Sequence, residues 1–134
     1  MIALDTSAII AIAAKEAEGE VFDTIIVERG AIVGTPTLLE ARMVLGSLIP
    51  SFADDFLAGL LARESVRSAA FTHEMYAVAA EAFARFGRGR GHPARLNFGD
   101  CLSYAVAKTR SLPLLFKGDD FVHTDVVPAY TASS

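Results

Sequence analysis

The sequence is poor in cysteine, in long apolar stretches and in positive charge, and each shortage excludes a class of protein. Cys101 is the only cysteine, so the chain forms neither an internal disulfide nor a cysteine metal cluster, which suits a reducing compartment. The longest stretch without a charged residue or histidine, Met43–Ala53, has 11 residues and contains Pro50. A membrane-spanning helix needs roughly 18 to 20 apolar residues, so we do not expect an integral membrane protein.

The N-terminal segment does not have the pattern expected of a secretory signal. No basic residue precedes Lys15, and Asp5 lies in the middle of the stretch that would have to form the apolar core of a signal. We therefore expect the protein to stay in the cytoplasm.

Positive charge is scarce overall but concentrated in one place. The net charge of −4 argues against nucleic-acid binding over the whole surface, because such binding neutralises phosphates with Lys and Arg. The segment Arg85–Arg95, however, contains no acidic residue. It holds four of the nine arginines and one histidine: Arg85, Arg88, Arg90, His92 and Arg95. The sequence thus predicts a basic loop on an acidic protein.

The apolar content is sufficient for one folded domain over residues 1–134. The chain is 52% apolar and 21% charged, and its length is typical of a single domain. Short apolar runs typical of strands alternate with segments of helical period. The predicted strands are Ile2–Leu4, Ala31–Gly34, Val66–Phe71, Pro113–Phe116 and Val126–Val127. The predicted helices are Ala8–Ala14, Glu18–Glu28, Leu38–Leu48, Phe52–Arg63, His73–Phe86 after Thr72, and a helix from the cap Asn97 to Thr109. This alternation predicts an α/β fold with helices on both faces of a parallel sheet.

Acidic residues lie where ligands bind in such a sheet, beyond the carboxyl ends of the strands. Four of them follow a predicted strand directly or within about one helical turn: Asp5, Glu40, Asp119 and Asp120. A fifth, Asp100, lies in the predicted helix that precedes the strand Pro113–Phe116. Carboxylates in one pocket repel one another unless a cation neutralises them, and all-oxygen sites select hard ions such as Mg²⁺ or Mn²⁺. The pattern therefore predicts a divalent-metal site.

Most of these acids also have a simpler structural explanation. Thr37 to Glu40 and Asn97 to Asp100 have the spacing of helix capping boxes, and Asp119-Asp120 after Gly118 could form a turn or a cap. Asp5 is harder to explain in this way, because an acid between an apolar strand and an apolar helix lies near the core and needs a partner.

Taken together, the motifs resemble the PIN-domain family and, more narrowly, the VapC-type toxins of bacterial toxin–antitoxin pairs. The resemblance covers essentially the whole chain. It is carried by Leu4-Asp5-Thr6-Ser7-Ala8, Glu40, Leu96-Asn97-Phe98-Gly99-Asp100-Cys101, Leu114-Leu115-Phe116-Lys117-Gly118-Asp119-Asp120-Phe121 and Thr124-Asp125. It implies an α/β/α sandwich with a central parallel sheet of about five strands. It also implies Mg²⁺-dependent cleavage of RNA (tRNA, rRNA or mRNA) and a homodimer inhibited by a cognate VapB-type antitoxin.

The resemblance also implies roles for individual residues. Asp5, Glu40 and Asp100 match the three core acids of the family, either Asp119 or Asp120 is the fourth, and Thr6 or Ser7 supplies a hydroxyl beside the metal. Mg²⁺, or Mn²⁺ in its place, would activate water as the nucleophile at neutral pH. Arg85, Arg88, Arg90, His92 and Arg95 would bind the RNA backbone.

Other functions and roles stay open at this point. The same fold could cleave DNA, or could bind metal without catalysis. A receiver-like signalling domain, with Lys117 after a late strand, would need an acid pair at the first strand and a phosphate-accepting Asp in mid-chain, where the sequence has Asp54 and Asp55 inside a helix. Phe86 and Phe98 at the edges of the basic loop are expected in the core, with stacking on bases as the alternative. Cys101 is expected to be a packing residue.

Overall fold

Four short parallel strands form the central sheet in the computed structural model, which describes residues 1–132. They are β1 (Ile2–Leu4), β2 (Ala31–Gly34), β3 (Val66–Ala69) and β4 (Leu114–Leu115), in the spatial order β3-β2-β1-β4. The residues of β1, β2 and β4 are all buried. Because successive side chains of a strand point to opposite faces, this pattern requires cover on both faces of the sheet.

The helices provide that cover in two layers. They are α1 (Thr6–Ala13), α2 (Gly19–Arg29), α3 (Thr35–Leu48), α4 (Ala53–Ala62), α5 (His73–Phe86) and α6 (Phe98–Thr109). Ile2 and Leu4 pack into a core with α1 to α4, whereas Ala3 packs into a second core with α5 and α6. The α/β/α sandwich that the resemblance implies is therefore present.

The predicted fifth strand at Val126–Val127 is not a strand in the described residues. The Leu114 N–H donates to the carbonyl of Val127 at 2.8 Å, and Leu114 forms an isolated bridge with Pro128. The Ala129 N–H donates back to the Leu114 carbonyl at 2.8 Å, so this segment pairs with a single residue of β4 and forms no ladder. The sheet has four strands and one bridge rather than five strands.

Three helices show how capping sets their first residues. Asp5 caps α1, and its side chain accepts from the Ser7 N–H at 3.0 Å. Thr72 caps α5, as the sequence predicts, and accepts from the Met75 N–H at 3.2 Å. Asn97 caps α6, which confirms the predicted capping box with Asp100.

The predicted capping box from Thr37 to Glu40 is wrong. Helix α3 begins at Thr35, directly after β2. Its N-cap residue is Gly34, which has no side chain that could cap the helix. Pro36 in the first turn needs no N–H partner and has a φ angle suited to a helix start, so the helix begins before Thr37. Glu40 is consequently a residue of the second turn and has no role in capping.

Within residues 1–132, no helix has the length and apolarity that a bilayer crossing requires.

Candidate active site

The acidic residues lie at the edge of the sheet where the parallel strands end. Leu4 pairs with Leu115, and Ala3 with Ile32, so the chain leaves β1, β2 and β4 on the same side of the molecule. Asp5 follows β1 directly and begins α1, while α3 starts directly after β2. Helix α6 packs against β1, β2 and α3, which brings its first turn to this edge.

Asp5 is a buried carboxylate held by the residues next to it. Asp5 is only 5% exposed. Its Oδ2 accepts hydrogen bonds from the Ser7 N–H at 3.0 Å and from the Ser7 hydroxyl at 2.6 Å. The Ser7 Oγ in turn accepts from the Lys117 N–H at 2.9 Å, which ties this turn to the segment after β4. Burial raises the pKa of Asp5 above its usual range, although the nearby Ser103 hydroxyl and the hydrogen bonds from Ser7 oppose that shift.

Glu40 lies between α1 and α6. The Thr6 hydroxyl donates a hydrogen bond to Glu40 Oε1. On the other side, the Glu40 carboxylate lies against the backbone of Gly99, so closely that a Cβ atom at position 99 would overlap it. The glycine thus makes room for Glu40 beside the first turn of α6.

Asp100 connects the cap of α6 to the other acids. Its N–H donates to Asn97 Oδ1 at 2.9 Å, and its Oδ2 accepts from the Asn97 N–H at 3.0 Å. Burial raises the pKa of Asp100 to about 7; the Asn97 N–H lowers it, and the negative charges of Asp5, Asp120 and Glu40 raise it further. We call Asp5, Glu40, Asp100 and Asp120 the acidic cluster.

Asp119 and Asp120 are both exposed, but they have different surroundings. They follow Gly118, whose φ of 98° lies in the left-handed region that favours glycine. The charge of Asp120 raises the pKa of Asp100, whereas Asp119 lines a separate groove with Phe22 and Tyr130. Of this pair, Asp120 is the acid that is electrostatically coupled to the cluster.

The donor set suits a hard divalent cation, although the carboxylates do not form a finished metal site. Among residues 1–132, no three Asp, Glu, His or Cys side chains are arranged closely enough to hold an ion. The protein's own hydrogen bonds engage one oxygen of each carboxylate, namely Asp5 Oδ2, Glu40 Oε1 and Asp100 Oδ2, which leaves the second oxygen of each for a cation. Burying the charges of Asp5 and Asp100 is unfavourable without a positive partner. The residues therefore fit such an ion, and binding it requires side-chain adjustment.

Ser103 and Gly99 also border this site, and the sequence analysis assigned neither of them a role, although Gly99 is part of the motif from Leu96 to Cys101. Ser103 is buried in α6 one turn after Asp100; its hydroxyl lowers the pKa of Asp5 but completes no hydrogen bond of ordinary geometry. The spacing of three residues from Asp100 could have placed it on the same helix face. A lone glycine inside a helical pattern could likewise have marked the close approach at Gly99.

The basic loop is attached to the start of α6. Leu96 N–H donates to the Phe86 carbonyl at 2.9 Å, and Arg88 N–H donates to the Leu96 carbonyl at 3.1 Å, so the ends of the loop are held together. The side chains of Arg88, Arg90 and Arg95 are exposed. The loop therefore presents three arginines close in sequence to Asn97 and Asp100.

The other two residues of the basic segment are engaged elsewhere. Arg85 belongs to the last turn of α5, where its guanidinium lies 3.9 Å from the Asp125 carboxylate and 4.5 Å from the centre of the Phe86 ring. His92 is half-buried against the edge of Phe86, and its Nδ1 accepts from the Ala94 N–H at 3.0 Å. His92 is therefore partly covered, whereas Arg85 is exposed but lies near the opposite charge of Asp125.

The two phenylalanines at the ends of the loop differ in a way that the sequence did not predict. Phe86 is a core residue, 4% exposed, as predicted. Phe98 is 79% exposed, and the prediction of a core position is wrong. Phe98 is the first residue of α6, and because Gly99 and Asp100 face inward, its own side chain is left on the outer side of the helix.

Cys101 and Lys117 take no part in the acidic cluster. Cys101 is buried in the second core, and burial raises the pKa of its thiol to about 11, so it is a packing residue, as predicted. The Lys117 ammonium lies 3.0 Å from Glu16 and 3.3 Å from Glu18. A receiver-like site would need this lysine beside the acids after the first strand, and the structure places it elsewhere.

Comparisons with known proteins agree with this architecture. The PIN domain family matches residues 2–127. Ribonuclease VapC42 of Mycobacterium tuberculosis is 38% identical over 138 residues, covering 96% of this chain and 98% of that protein. Ribonuclease VapC28 of the same species is 41% identical over 124 residues, covering 92% and 93% of the two chains.

Solved structures share the fold at much lower sequence identity. The crystal structure of Mycobacterium tuberculosis VapC20, described as a sarcin-ricin loop cleaving toxin, has a TM-score of 0.75 at 19% identity and covers 95% of this chain and 97% of that one. A toxin–antitoxin complex from Klebsiella pneumoniae has a TM-score of 0.70 at 13% identity, covering 98% and 100%. From the match over residues 2–127 and the near full-length relatives, this chain belongs to the PIN domain family and groups with its VapC members.

Proposed function

We propose that this protein is a Mg²⁺-dependent endoribonuclease that acts as the toxin of a toxin–antitoxin pair. The observation that carries the proposal is the acidic cluster at the carboxyl edge of a parallel sheet, where two buried carboxylates, Asp5 and Asp100, lie near further acids from separate parts of the chain. The full-length relatives named as ribonucleases support RNA as the substrate.

The residues of the cluster have distinct roles in this proposal. Asp5 and Asp100 hold the cation, Glu40 is either a third ligand or the group that orients the attacking water, and Asp120, rather than Asp119, is the fourth acid. A divalent cation held by these residues would supply the means to activate water at neutral pH and to offset charge on the attacked phosphate. Thr6 and Ser7 keep Glu40 and Asp5 in place through their hydroxyl hydrogen bonds.

Partners and location follow from the same proposal. A small VapB-type antitoxin inhibits the enzyme, which works as a homodimer in the cytoplasm. The structural likeness to the Klebsiella pneumoniae toxin–antitoxin complex supports a partner of this kind.

Metal dependence provides the direct test. Purified protein free of antitoxin should cut tRNA or total RNA into discrete fragments with Mg²⁺ or Mn²⁺, and EDTA should stop the cleavage, because in this proposal the cation activates the water and offsets the charge on the phosphate. Denaturing gels of the RNA measure the fragments, and duplex and single-stranded DNA are assayed in parallel.

Two results would contradict the proposal. Cleavage of DNA in preference to RNA would make the protein a nuclease of the same fold with another substrate. A folded, metal-loaded protein that cuts neither polymer would be a metal-binding module without catalysis.

The three exposed arginines of the basic loop should carry the salt dependence of RNA binding. An Arg88→Ala, Arg90→Ala double variant removes two cations, so the slope of log affinity against log salt should fall by about 1.4, at roughly 0.7 per phosphate contact on a single strand. Fluorescence anisotropy with labelled RNA at several salt concentrations measures the slope. Arg29→Ala and Arg110→Ala, made together, serve as a control with the same charge change outside the loop, and an equal decrease in both pairs would refute a specific role for the loop.

A further inference from the structure

The segment that carries Asp119 and Asp120 depends on side-chain contacts for its position. Residues 118–125, which lie wholly within the described part of the chain, form turns and bends rather than a helix or a strand. We call them the turn segment. No helical or sheet pattern of hydrogen bonds holds these residues, so their position depends on their own turns and on a few side-chain contacts.

Hydrogen bonds inside the turn segment connect its two ends. The Val122 N–H donates to the Asp119 carbonyl at 3.3 Å, and the N–H and the hydroxyl of Thr124 donate to the Phe121 carbonyl at 3.1 and 2.7 Å. Phe121 is 2% exposed and packs in the second core. Because these hydrogen bonds overlap along the segment, a displacement at one end is passed to the other.

Asp125, at the end of the turn segment, is bound to α6. Its Oδ1 accepts a hydrogen bond from the Tyr104 hydroxyl at 2.6 Å, and Tyr104 is 4% exposed. Its Oδ2 lies 3.3 Å from the Lys108 ammonium and 3.9 Å from the Arg85 guanidinium. Ion pairs between exposed side chains contribute little, whereas a short hydrogen bond to a carboxylate is strong and directional. The hydrogen bond from Tyr104 is therefore the specific attachment.

Helix α6 and the turn segment also carry two acids of the acidic cluster. Tyr104 lies four residues after Asp100 in α6, and residues with this spacing share one face of a helix. Asp125 lies five residues after Asp120, and Asp120 is close enough to Asp100 for its charge to raise the pKa of Asp100. Helix α6 and the turn segment thus meet twice, once through the two acids and once through the hydrogen bond between Tyr104 and Asp125.

We propose that Tyr104 and Asp125 are positioning residues, whose hydrogen bond holds Asp120 beside Asp100 so that both carboxylates face the same metal-binding site. This inference rests on the proposed function, in which Asp120 is the fourth acid. Asp120 needs such support because it is exposed and lies in the turn segment, whereas the cap of α6 holds Asp100. The Thr124-Asp125 motif, which the proposed metal ligands leave without a role, thereby has one.

Mn²⁺ binding in the absence of RNA tests the inference without depending on cleavage. Electron paramagnetic resonance of free Mn²⁺ measures the dissociation constant. Tyr104→Phe keeps the ring and removes only the hydroxyl, and Asp125→Ala removes the acceptor at an exposed position, where substitutions disturb the fold least. Both changes are made in the wild-type protein and in an Asp120→Asn background. Tyr130→Phe, which removes a hydroxyl from a half-buried tyrosine of the first core, is the matched control.

We expect Tyr104→Phe and Asp125→Ala each to weaken Mn²⁺ binding about 10-fold, the lower end of the range for residues that orient metal ligands. In the Asp120→Asn background neither change should weaken binding further, because the ligand that they position is already lost. The Mg²⁺ concentration that gives half-maximal RNA cleavage should rise by the same factor as the Mn²⁺ dissociation constant. Tyr130→Phe should change neither quantity.

Four results would overturn the inference. Unchanged Mn²⁺ affinity in both variants would show that the hydrogen bond has no effect on the metal site. Equal losses in the wild-type and Asp120→Asn backgrounds would show that it acts by a route other than Asp120. An Asp120→Asn protein with normal Mn²⁺ binding and cleavage would remove Asp120 from the site while leaving the nuclease intact. If the wild-type protein neither binds Mn²⁺ nor cleaves RNA, the proposed function itself fails, and the positioning role fails with it.

Discussion

An Asp100→Asn variant should lose RNA cleavage by about 10³-fold, the rate equivalent of several kcal/mol of charge stabilisation at the transition state. The amide keeps an oxygen that can accept from the Asn97 N–H, so the cap of α6 is preserved. What disappears is a negative charge in the acidic cluster, where the cation would be held. Single-turnover cleavage at saturating Mg²⁺ measures the loss, and Asp55→Asn, the same change at an exposed acid of α4, is the matched control.

The same variant should be more stable than the wild-type protein when no metal is present. The pKa of Asp100 is raised from 3.8 to about 7 in the folded protein, so ionising Asp100 is less favourable in the folded state than in the unfolded state. The contribution of Asp100 therefore lowers the free energy of unfolding as pH rises from 3.8 to about 7, and this loss is constant at higher pH. Asparagine has no such penalty. The gain in unfolding free energy should therefore be roughly 1 to 4 kcal/mol above pH 7 and should vanish near pH 4.

Denaturant unfolding in EDTA across this pH range measures the stability difference. Stabilisation together with loss of cleavage would identify Asp100 as a charge kept for function. A variant that is destabilised at every pH would contradict this interpretation, since the loss of activity would then follow from damage to α6. Wild-type cleavage by a folded Asp100→Asn protein would remove Asp100 from the metal site altogether.

A Gly99→Ala variant should lose about 10²-fold in cleavage with almost no loss of stability. The new Cβ would overlap the Glu40 carboxylate, and Glu40 must move because the backbone of α6 is held by its cap. Moving a positioned group by about 1 Å can cost 10²-fold in rate. The fold should tolerate the change, because the displaced atoms are the end of a flexible side chain and alanine favours a helix more than glycine does.

Gly59→Ala is the matched control for this glycine. Gly59 lies inside α4, and a Cβ there would have no neighbour within 4 Å. This variant should gain about 0.5 to 1 kcal/mol in unfolding free energy with unchanged cleavage. Thermal unfolding and initial cleavage rates compare the two variants.

A double-mutant cycle shows whether the effect of Gly99→Ala passes through Glu40. Glu40→Asp shortens the side chain by one methylene and relieves the overlap. It should therefore reduce cleavage less in the Gly99→Ala background than in the wild-type protein. Additive losses would show that position 99 affects cleavage by another route.

Local sequence patterns were sufficient to predict the helix starts and strand bounds that depend on residues close together in the chain. Thr72 and Asn97 predicted the starts of α5 and α6, because a capping side chain bonds to a backbone N–H only a few residues away. The buried runs of β1 and β2 were predicted with their observed bounds for the same reason. The start of α3 was missed because Pro36 begins the helix by its fixed φ angle without a side-chain cap.

The sequence by itself determined the fold class, the family and the set of acids at the ends of strands, since these depend on periodicity and on motifs in order along the chain. Only the tertiary structure distinguished Asp120 from Asp119, placed Glu40 against Gly99 and left Phe98 exposed beside the acidic cluster. The physical reason is the same in each case. Burial and electrostatic coupling depend on which helices pack together, and α1, α3 and α6 approach one another from positions far apart in the sequence.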